Sequence, residues 1–110
     1  MKTCTMTAGM YGGVYSRESN GVKAIGYIKQ ADVDVVWICD EIRYNNEKFE
    51  LHRTIYDEVN EKLDQITIAT YGGDDCAKAS FNSLYAEPRY KDFKALWVYL
   101  LARAQEAAKS

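Results

Sequence analysis

Two adjacent carboxylates follow a pair of glycines in the stretch ITIATYGGDDCAKA, residues Ile66–Ala79. Asp74 and Asp75 stand directly after Gly72 and Gly73, and paired carboxylates at a turn can hold Mg²⁺ for phosphoryl or nucleotidyl transfer. The same pattern is typical of a strand that turns into a capped helix, because glycine adopts positive φ and aspartate accepts free amide hydrogens. We expect the second arrangement, a turn and a helix cap.

Metal-dependent hydrolysis needs carboxylates that converge from separate elements on ions about 3.5–4 Å apart. Glu50 and Asp40 are the further candidates that could join Asp74 or Asp75 in such a site. No acidic residue precedes Glu18, so the first predicted strand offers no ligand. The sequence therefore supports no firm catalytic or metal-binding residue. Mg²⁺ enters as a cofactor only if the chain is a divergent nuclease.

The cysteines and the histidine exclude the common zinc sites. Cys4, Cys39 and Cys76 are odd in number and widely spaced, no C-x-x-C pair occurs, and His52 is the only histidine. We interpret the three thiols as reduced and mostly buried. A Cys–His catalytic pair would require one thiol to meet His52 in space, and a hydrogen-bonded histidine at the edge of the core is the simpler expectation.

Length and composition predict one globular domain. The chain has 110 residues, of which 47% are hydrophobic and 27% charged, enough for a single core. No run approaches the roughly 18 apolar residues of a membrane span. The opening MKTCTMTAGMYGG has no apolar segment of the kind found in signal peptides. We therefore expect a cytoplasmic location and no membrane partner.

Charge is unevenly distributed along the chain, whose formal net charge is −2. Residues 32–64 carry ten acidic and four basic side chains, a balance of −6, whereas residues 1–31 come to +3 and residues 65–110 to +1. Phosphate binding needs clustered lysine and arginine, so general nucleic-acid binding is weakly supported. The acidic middle third suggests a protein partner with a basic surface, with Asp57, Glu58 and Glu61 as candidate contacts. Ordinary solvated faces would explain the same charges.

Tyrosines are unusually frequent, with nine in the chain. The stretch MYGGVYSRESNG mixes tyrosine with glycine, serine and asparagine, as antibody paratopes do. Tyrosine offers a large contact area at a low entropy cost, so Tyr11, Tyr15 and Arg17 are candidate binding residues. Ordinary β propensity explains the tyrosines equally well, and stacking on nucleic-acid bases, helped by Arg17, Lys23 and Lys29, is a third use.

The first half of the chain predicts three strands. Lys2 to Tyr15 is typical of a strand bent at its glycines. Asn20-Gly21 is a strong hairpin signal and leads into the strand VKAIGYIKQ. ADVDVVWICDEI follows as a third strand, and its continuous apolar run suits a central position.

The second half predicts helices around one further strand. Asn45-Asn46 would cap an amphipathic helix of about five turns, with an apolar stripe at spacings of three and four. That stripe comprises Phe49, His52, Tyr56, Val59 and Leu63. ITIATY is then a short strand, a short helix runs to about Leu84, and a last helix begins at Glu87-Pro88. The apolar stripe of the last helix comprises Phe93, Leu96, Trp97, Leu100, Leu101 and Ala104.

These elements predict a single α/β (α+β) domain over residues 1–110, in the order β-β-β-α-β-α-α. Helices would pack on a mixed, mainly antiparallel sheet of four or five strands. Every residue from Trp97 to Leu101 is apolar, so a homodimer through Trp97, Val98, Tyr99 and Leu101 is a further expectation.

Three short stretches carry a resemblance to a known superfamily. GVKAIGYI resembles the glycine-rich second strand of the ribonuclease H-like superfamily, and YNNEKFEL resembles the Asn-Asn-x-x-Glu-Leu opening of its first helix. ITIAT stands where its fourth strand ends in a catalytic aspartate. The resemblance covers residues 1–85 and implies a metal-dependent nuclease fold.

This chain also departs from the superfamily pattern at the positions that would bind metal. Glu50 lies four positions after Asn46, where the family uses three, and the first strand has TMTAG in place of an aspartate. The expected fourth-strand aspartate falls at Thr70 or Tyr71. We therefore expect a non-catalytic protein-interaction module. By analogy with small acidic inhibitors from phages or mobile elements, it would bind a host nucleic-acid-processing protein through an acidic helix face and tyrosine-rich loops. A divergent ribonuclease H-like nuclease or nucleic-acid-binding domain is the alternative.

Overall fold

A computed structural model describes residues 13–33, 35–59 and 62–109, with only the backbone described at 62 and 63. Five strands are followed by two helices in one α+β domain. The strands are β1 Val14–Ser19, β2 Val22–Gln30, β3 Val36–Asn45, β4 Lys48–Asp57 and β5 Lys62–Gly72, and the helices are α1 Asp75–Ala86 and α2 Tyr90–Ala108. The strands form one sheet in the order β1-β2-β3-β4-β5, and every neighbouring pair is antiparallel.

The predicted five-turn helix after Asn46 is wrong, because this segment forms β4 and the start of β5. Asn46 and Glu47 have φ of 51° and 64°, and Asn45 pairs with Lys48 across them. Two residues of positive φ make the tight turn that joins antiparallel strands. The asparagines therefore close a hairpin instead of capping a helix.

The error has a physical origin in the residues that follow this turn. Phe49 and Leu51 are buried while Glu50 is exposed, so the segment alternates with the period of two that a strand requires. Phe49, His52 and Tyr56 also satisfy helical spacing, and long-range pairing with β3 decides between the two. Because no helix forms here, the predicted acidic helix face is also wrong. A mixed sheet was expected, but all neighbouring strands among the described residues are antiparallel.

Other local predictions are confirmed. Asn20 and Gly21 have φ of 54° and 80° and join β1 to β2. β3 lies at the centre of the sheet. Of the first predicted strand, Val14 and Tyr15 belong to β1, and residues 2–12 lie outside the described residues. The last helix is also confirmed, but its predicted start at Glu87-Pro88 is wrong, because α2 begins at Tyr90 with Arg89 as its N-cap.

Both helices pack on one side of the sheet, which we call the helix side. Its sheet residues are the fully buried Ile25, Ile42, Phe49 and Leu51. From the helices, the stripes of buried side chains are Ala77, Phe81 and Leu84 in α1, and Phe93, Leu96, Leu100 and Ala104 in α2. In the described part of the chain, neither helix is long and apolar enough to cross a membrane.

We call the opposite side of the sheet the helix-free side, because no helix of the described residues covers it. On this side Gly26 contacts a tyrosine ring. A Cβ atom added to Gly26 would lie 2.5 Å from both Cζ and the hydroxyl oxygen of Tyr15. Tyr15 and Gly26 are direct partners in the β1–β2 register. The ring therefore lies against the Gly26 backbone in space that no other residue type at position 26 would leave open.

We expect Gly26→Ala to lower the free energy of unfolding by about 1–3 kcal/mol, the usual cost of overpacking. Gly72→Ala is the matched control, because a Cβ added there meets nothing within 4 Å, and it should change the free energy by less than about 0.5 kcal/mol. Chemical denaturation of both variants measures the difference. Equal stabilities would contradict the packing of Tyr15 against Gly26.

Candidate functional site

The four candidate catalytic carboxylates lie in three separate places, since only Asp74 and Asp75 are neighbours. Asp40 is buried on the helix side of β3, where it accepts hydrogen bonds from Arg53 Nε to Oδ1 at 2.7 Å and from Nη2 to Oδ2 at 2.9 Å. Glu50 points to the helix-free side of β4, and Asp74 and Asp75 start α1. Within residues 13–33, 35–59 and 62–109, no three His, Cys, Asp or Glu side chains are grouped to hold a metal ion.

Asp74 is the N-cap of α1, as the turn-and-cap interpretation expects. Its Oδ1 accepts the Ala77 amide hydrogen at an N···O distance of 2.8 Å. Its Oδ2 accepts the hydroxyl hydrogens of Tyr71 at 3.3 Å and Tyr99 at 3.4 Å, and it lies 3.6 Å from Arg103 Nη2. One carboxylate thereby connects the end of β5, the start of α1 and the middle of α2.

These contacts keep Asp74 ionised. The amide of Ala77 lowers the pKa of the Asp74 carboxyl most strongly, and the Tyr71 hydroxyl and the positive charge of Arg103 act in the same direction. Because the folded-state pKa is lowered, the carboxylate contributes stability above its unfolded pKa and loses it as pH falls through the folded one.

Glu41 forms the centre of a polar cluster on the helix-free side. Arg17 makes two hydrogen bonds to it, from Nε to Oε2 at 2.7 Å and from Nη2 to Oε1 at 2.8 Å. Arg43 Nε donates to Oε1 at 2.6 Å, and the Tyr15 hydroxyl donates to Oε2 at 2.7 Å. The Tyr15 hydroxyl also lies 3.1 Å from the buried Sγ of Cys39. We call these five residues the Glu41 cluster.

The Glu41 cluster is held by charge. Burial by itself would raise the pKa of Glu41, but hydrogen bonds from Arg17, Arg43 and Tyr15 outweigh burial, so the pKa of Glu41 lies below its ordinary value. Burial, with the charge of Glu41 and the nearby Cys39 thiol, raises the pKa of Tyr15. Glu41 is thus an anion and Tyr15 a neutral donor at physiological pH, which suits a structural lock.

A second polar group lies on the same side, over β4 and β5. His52 Nε2 is 2.9 Å from Glu50 Oε1, and His52 Nδ1 is 3.4 Å from Thr67 Oγ1. A hydroxyl, an imidazole and a carboxylate in this order are the components of nucleophilic catalysis. However, Thr67 and Glu50 are exposed, and the 3.4 Å contact is long. The contacts orient a largely buried imidazole, 13% exposed, between two exposed side chains.

Two turns at one end of the sheet carry exposed valines among acidic residues. The Glu58 amide donates to Val35 O at 2.9 Å, which joins the β4–β5 turn to the β2–β3 turn. Val33 and Val59 are 58% and 67% exposed. Exposed acidic side chains beside them are Asp32 and Glu58, and Asp57 is half-buried. We call Asp32, Val33, Asp57, Glu58 and Val59 the acidic end.

The carboxylates of the acidic end are also hydrogen-bonded locally. Glu58 Oε1 accepts from Trp37 Nε1 at 3.0 Å, and Asp57 Oδ1 accepts from the Val59 amide at 3.0 Å. These bonds hold the two carboxylates at fixed positions. Asp57 and Glu58, predicted on a helix, therefore lie at the end of β4 and in the following turn, and Glu61 lies outside the described residues.

The remaining candidates are divided between core and surface. Tyr15 and Arg17 belong to the Glu41 cluster, while Tyr11 lies outside the described residues. Trp97 and Leu101 are half-buried against the core, and Val98 and Tyr99 are exposed. Tyr99 also lines a cavity of about 660 Å³ between α1 and α2. The cavity is lined by Cys76, Ala77, Ala79, Ser80, Ser83, Leu84, Asp92, Ala95, Leu96 and Tyr99.

Sequence reasoning missed Glu41 and Arg43 as members of the Glu41 cluster, and Val33 and Val59 as members of the acidic end. The alternation of Cys39, Glu41 and Arg43 along one strand could have placed the three on one side of a sheet. Their partners Tyr15 and Arg17 come from β1, and only the register of three strands shows that contact. From the sequence, Val33 was assigned to the third predicted strand and Val59 to the apolar stripe of the predicted helix.

We expect Glu41→Gln to lower the free energy of unfolding by about 2–3 kcal/mol, because two arginines lose a buried anion. Since the folded pKa of Glu41 is lowered, this loss should be fully present above pH of about 4.3 and should shrink as pH falls through the folded pKa. Denaturation measured across pH tests both statements. Glu18→Gln is the control, because it also removes one negative charge but at an exposed position, and it should have little effect. An equal loss of stability in the two variants would refute the role of the Glu41 cluster.

The Asp74 cap is tested by comparing two substitutions. Asp74→Ala should lower the melting temperature more than Asp74→Asn, because asparagine caps a helix about as well as aspartate. Thermal unfolding followed by circular dichroism measures both. A metal-ligand role would instead make Asp74→Asn abolish an Mg²⁺-dependent activity without any loss of folding.

Comparison with protein-family models, with curated proteins and with solved structures found no match. The resemblance to the ribonuclease H-like superfamily stays a prediction, and the stretch assigned to its first helix forms the β3–β4 turn and β4. What this chain does must therefore be inferred from its own surfaces.

Proposed function

We propose that this chain is a non-catalytic protein-interaction module that binds a basic surface of another protein through its acidic end. The observation that carries the proposal is the pairing of two exposed valines with fixed carboxylates at one end of the sheet. Apolar contact area surrounded by charge is what a specific protein interface needs, because burial supplies free energy and charge supplies steering and orientation.

The charges of this region support a cationic partner. Residues 32–64 have a balance of −6 within a chain of net charge −2. The carboxylate of Glu58 receives a hydrogen bond from the Trp37 indole, which does not neutralise its charge. By contrast, the charge of Glu41 is compensated by two arginines and that of Asp40 by one. Negative potential therefore remains at the acidic end.

A nucleic-acid-binding surface of a host protein is the partner class that this chemistry favours. Such surfaces carry clustered lysine and arginine, which an acidic protein can occupy in place of a phosphate backbone. The comparison with small phage or mobile-element inhibitors is an analogy of charge and size. A role for Tyr15 and Arg17 in binding is less favoured, because both are engaged by Glu41.

The test neutralises the acidic end without disturbing its hydrogen bonds. Asp57→Asn with Glu58→Gln keeps both acceptor oxygens, and Glu18→Gln with Glu106→Gln is the control with the same change in charge. We expect the wild-type and control proteins to capture a partner from cell extract, and the acidic-end double variant to lose it, as should added salt. If partner capture is unaffected by the acidic-end substitutions and by added salt, the proposal is contradicted.

Nucleic acid provides the second arm of the test. The purified protein should neither bind nor cleave single-stranded DNA, duplex DNA or an RNA–DNA hybrid, with or without Mg²⁺ or Mn²⁺. Cleavage that depends on metal would contradict the proposal and support the nuclease alternative, with Glu50, Asp74 and Asp75 as the residues to mutate.

A further inference from the structure

β5 is an edge strand whose outer side pairs with no other described strand. It spans Lys62–Gly72 and pairs with β4 over its whole length. Five successive residues, 64–68, are exposed, and Ile66 and Ile68 are 49% and 38% exposed. An edge with unpaired amide and carbonyl groups is a template for another strand, and proteins usually protect such edges with lysine, proline or a bulge.

Two features of β5 protect it as an edge, namely a lysine at its first position and one bulge. The register with β4 shifts by one residue between Leu51 and His52, which leaves Ile68 as the extra residue of a bulge. The segment before the bulge, residues 64–67, pairs without interruption with residues 52–55 of β4. Asp64 is its only charged residue, and it contains neither lysine nor proline. This regular segment is the accessible part of the edge.

The side chains of this segment alternate between the two sides of the sheet. Asp64 is opposite Ile55 and Ile66 is opposite Arg53, so both point to the helix side, two residues apart. The charge of Arg53 is compensated by Asp40 at 2.7 Å. An added strand would therefore meet the Asp64 carboxylate, which forms no ion pair with a described side chain, and, one pleat further, the exposed Ile66.

We infer that residues 64–67 of β5 accept an extended segment of the partner as a sixth strand. The segment would present a lysine or arginine beside Asp64 and an aliphatic side chain beside Ile66, at positions two residues apart. Backbone hydrogen bonds would supply much of the affinity and the two side chains the specificity. This inference rests on the proposed function, since β5 begins directly after the β4–β5 turn of the acidic end and continues that surface.

β1, the other edge of the sheet, is less suited to the same role. It has six residues, VYSRES, against eleven in β5. Its Arg17 and Tyr15 side chains are committed to Glu41, and the described part of β1 exposes no large apolar side chain. An extended partner that carries basic and aliphatic residues therefore matches β5.

A designed peptide tests the inference before the partner is known. The probe is Thr-Lys-Thr-Val-Thr-Lys-Thr-Val-Thr, about nine residues long as strands commonly are, added to ¹⁵N-labelled protein and followed by NMR. We expect amide shifts centred on residues 64–67. Affinity should fall about two- to fivefold in Asp64→Asn, the usual effect of one exposed ion pair. It should fall by about tenfold or more in Ile66→Lys, because lysine blocks an edge and repels the probe.

Three controls decide the outcome. Val98→Lys, an equally exposed apolar position on α2, should bind as the wild type does. A peptide with glutamate in place of lysine, and a peptide with alternate backbone amides methylated, should both bind weakly. Shifts centred on the α1–α2 cavity, equal binding of the methylated peptide, or a solution mass of twice 12.5 kDa with β5 in the interface would each overturn the inference.

The two proposals fail in different ways. If capture of a partner depends on Asp57 and Glu58 but the peptide does not bind β5, then the acidic end binds without strand addition and only this inference falls. If the peptide binds β5 but the substitutions at Asp57 and Glu58 leave partner capture unchanged, then the β5 edge binds an added strand and the proposed role of the acidic end is wrong.

Discussion

The two described helices cover the same side of a five-stranded meander, and most of the other features of the fold follow from that constraint. A sheet with one helical layer must close its opposite side with its own side chains. Here Tyr15 lies against Gly26, and its hydroxyl, with Arg17 and Arg43, surrounds the buried carboxylate of Glu41. A charged cluster takes the place that a second helical layer would occupy. It joins β1 to β3 across β2 and fixes the strand register at that edge.

The same constraint determines which parts of the sheet remain accessible. α1 and α2 are connected to the end of β5 through Asp74, which Tyr71, Tyr99 and Arg103 all contact. The opposite end of the sheet consists of the β2–β3 and β4–β5 turns, where Val33 and Val59 are exposed. β5 leaves this end as an edge strand. The acidic end and the β5 edge at residues 64–67 are therefore neighbours, and we interpret them as one interaction surface.

The features that depend on a few adjacent residues could be predicted from the sequence. Asn20-Gly21 specifies a hairpin turn, Asp74 caps the helix that follows it, and the buried stripe of α2 has helical spacing. The five-turn helix failed because Phe49, His52 and Tyr56 fit a helical period while Phe49 and Leu51 fit a strand period. Pairing of ten residues with β3 then favours the strand. Local propensity cannot decide such a case, because the decisive contacts are distant in sequence.

The sequence predicted that acidic residues would form the candidate binding site, but it did not predict where in the fold they lie. Asp57 and Glu58 were identified from the charge of the middle third alone. The structure places Asp57 at the end of β4 and Glu58 in the following turn, whereas a helix would have placed them along one face. The Glu41 cluster could not be predicted, because Arg17 reaches Glu41 only through the β1–β2–β3 register. Its Tyr15 and Arg17 were assigned to binding because tyrosine and arginine serve interfaces and buried networks equally well.

Native-state amide hydrogen exchange of β5, measured residue by residue by NMR, tests most directly whether this edge is open. In an antiparallel edge strand, alternate amides bond the neighbouring strand and the others point outward. Alternating slow and fast exchange along residues 64–67, beside uniformly slow exchange in the central β3, is the predicted result. Slow exchange at every amide of residues 64–67 would contradict it, because another segment or another copy would then already occupy the edge.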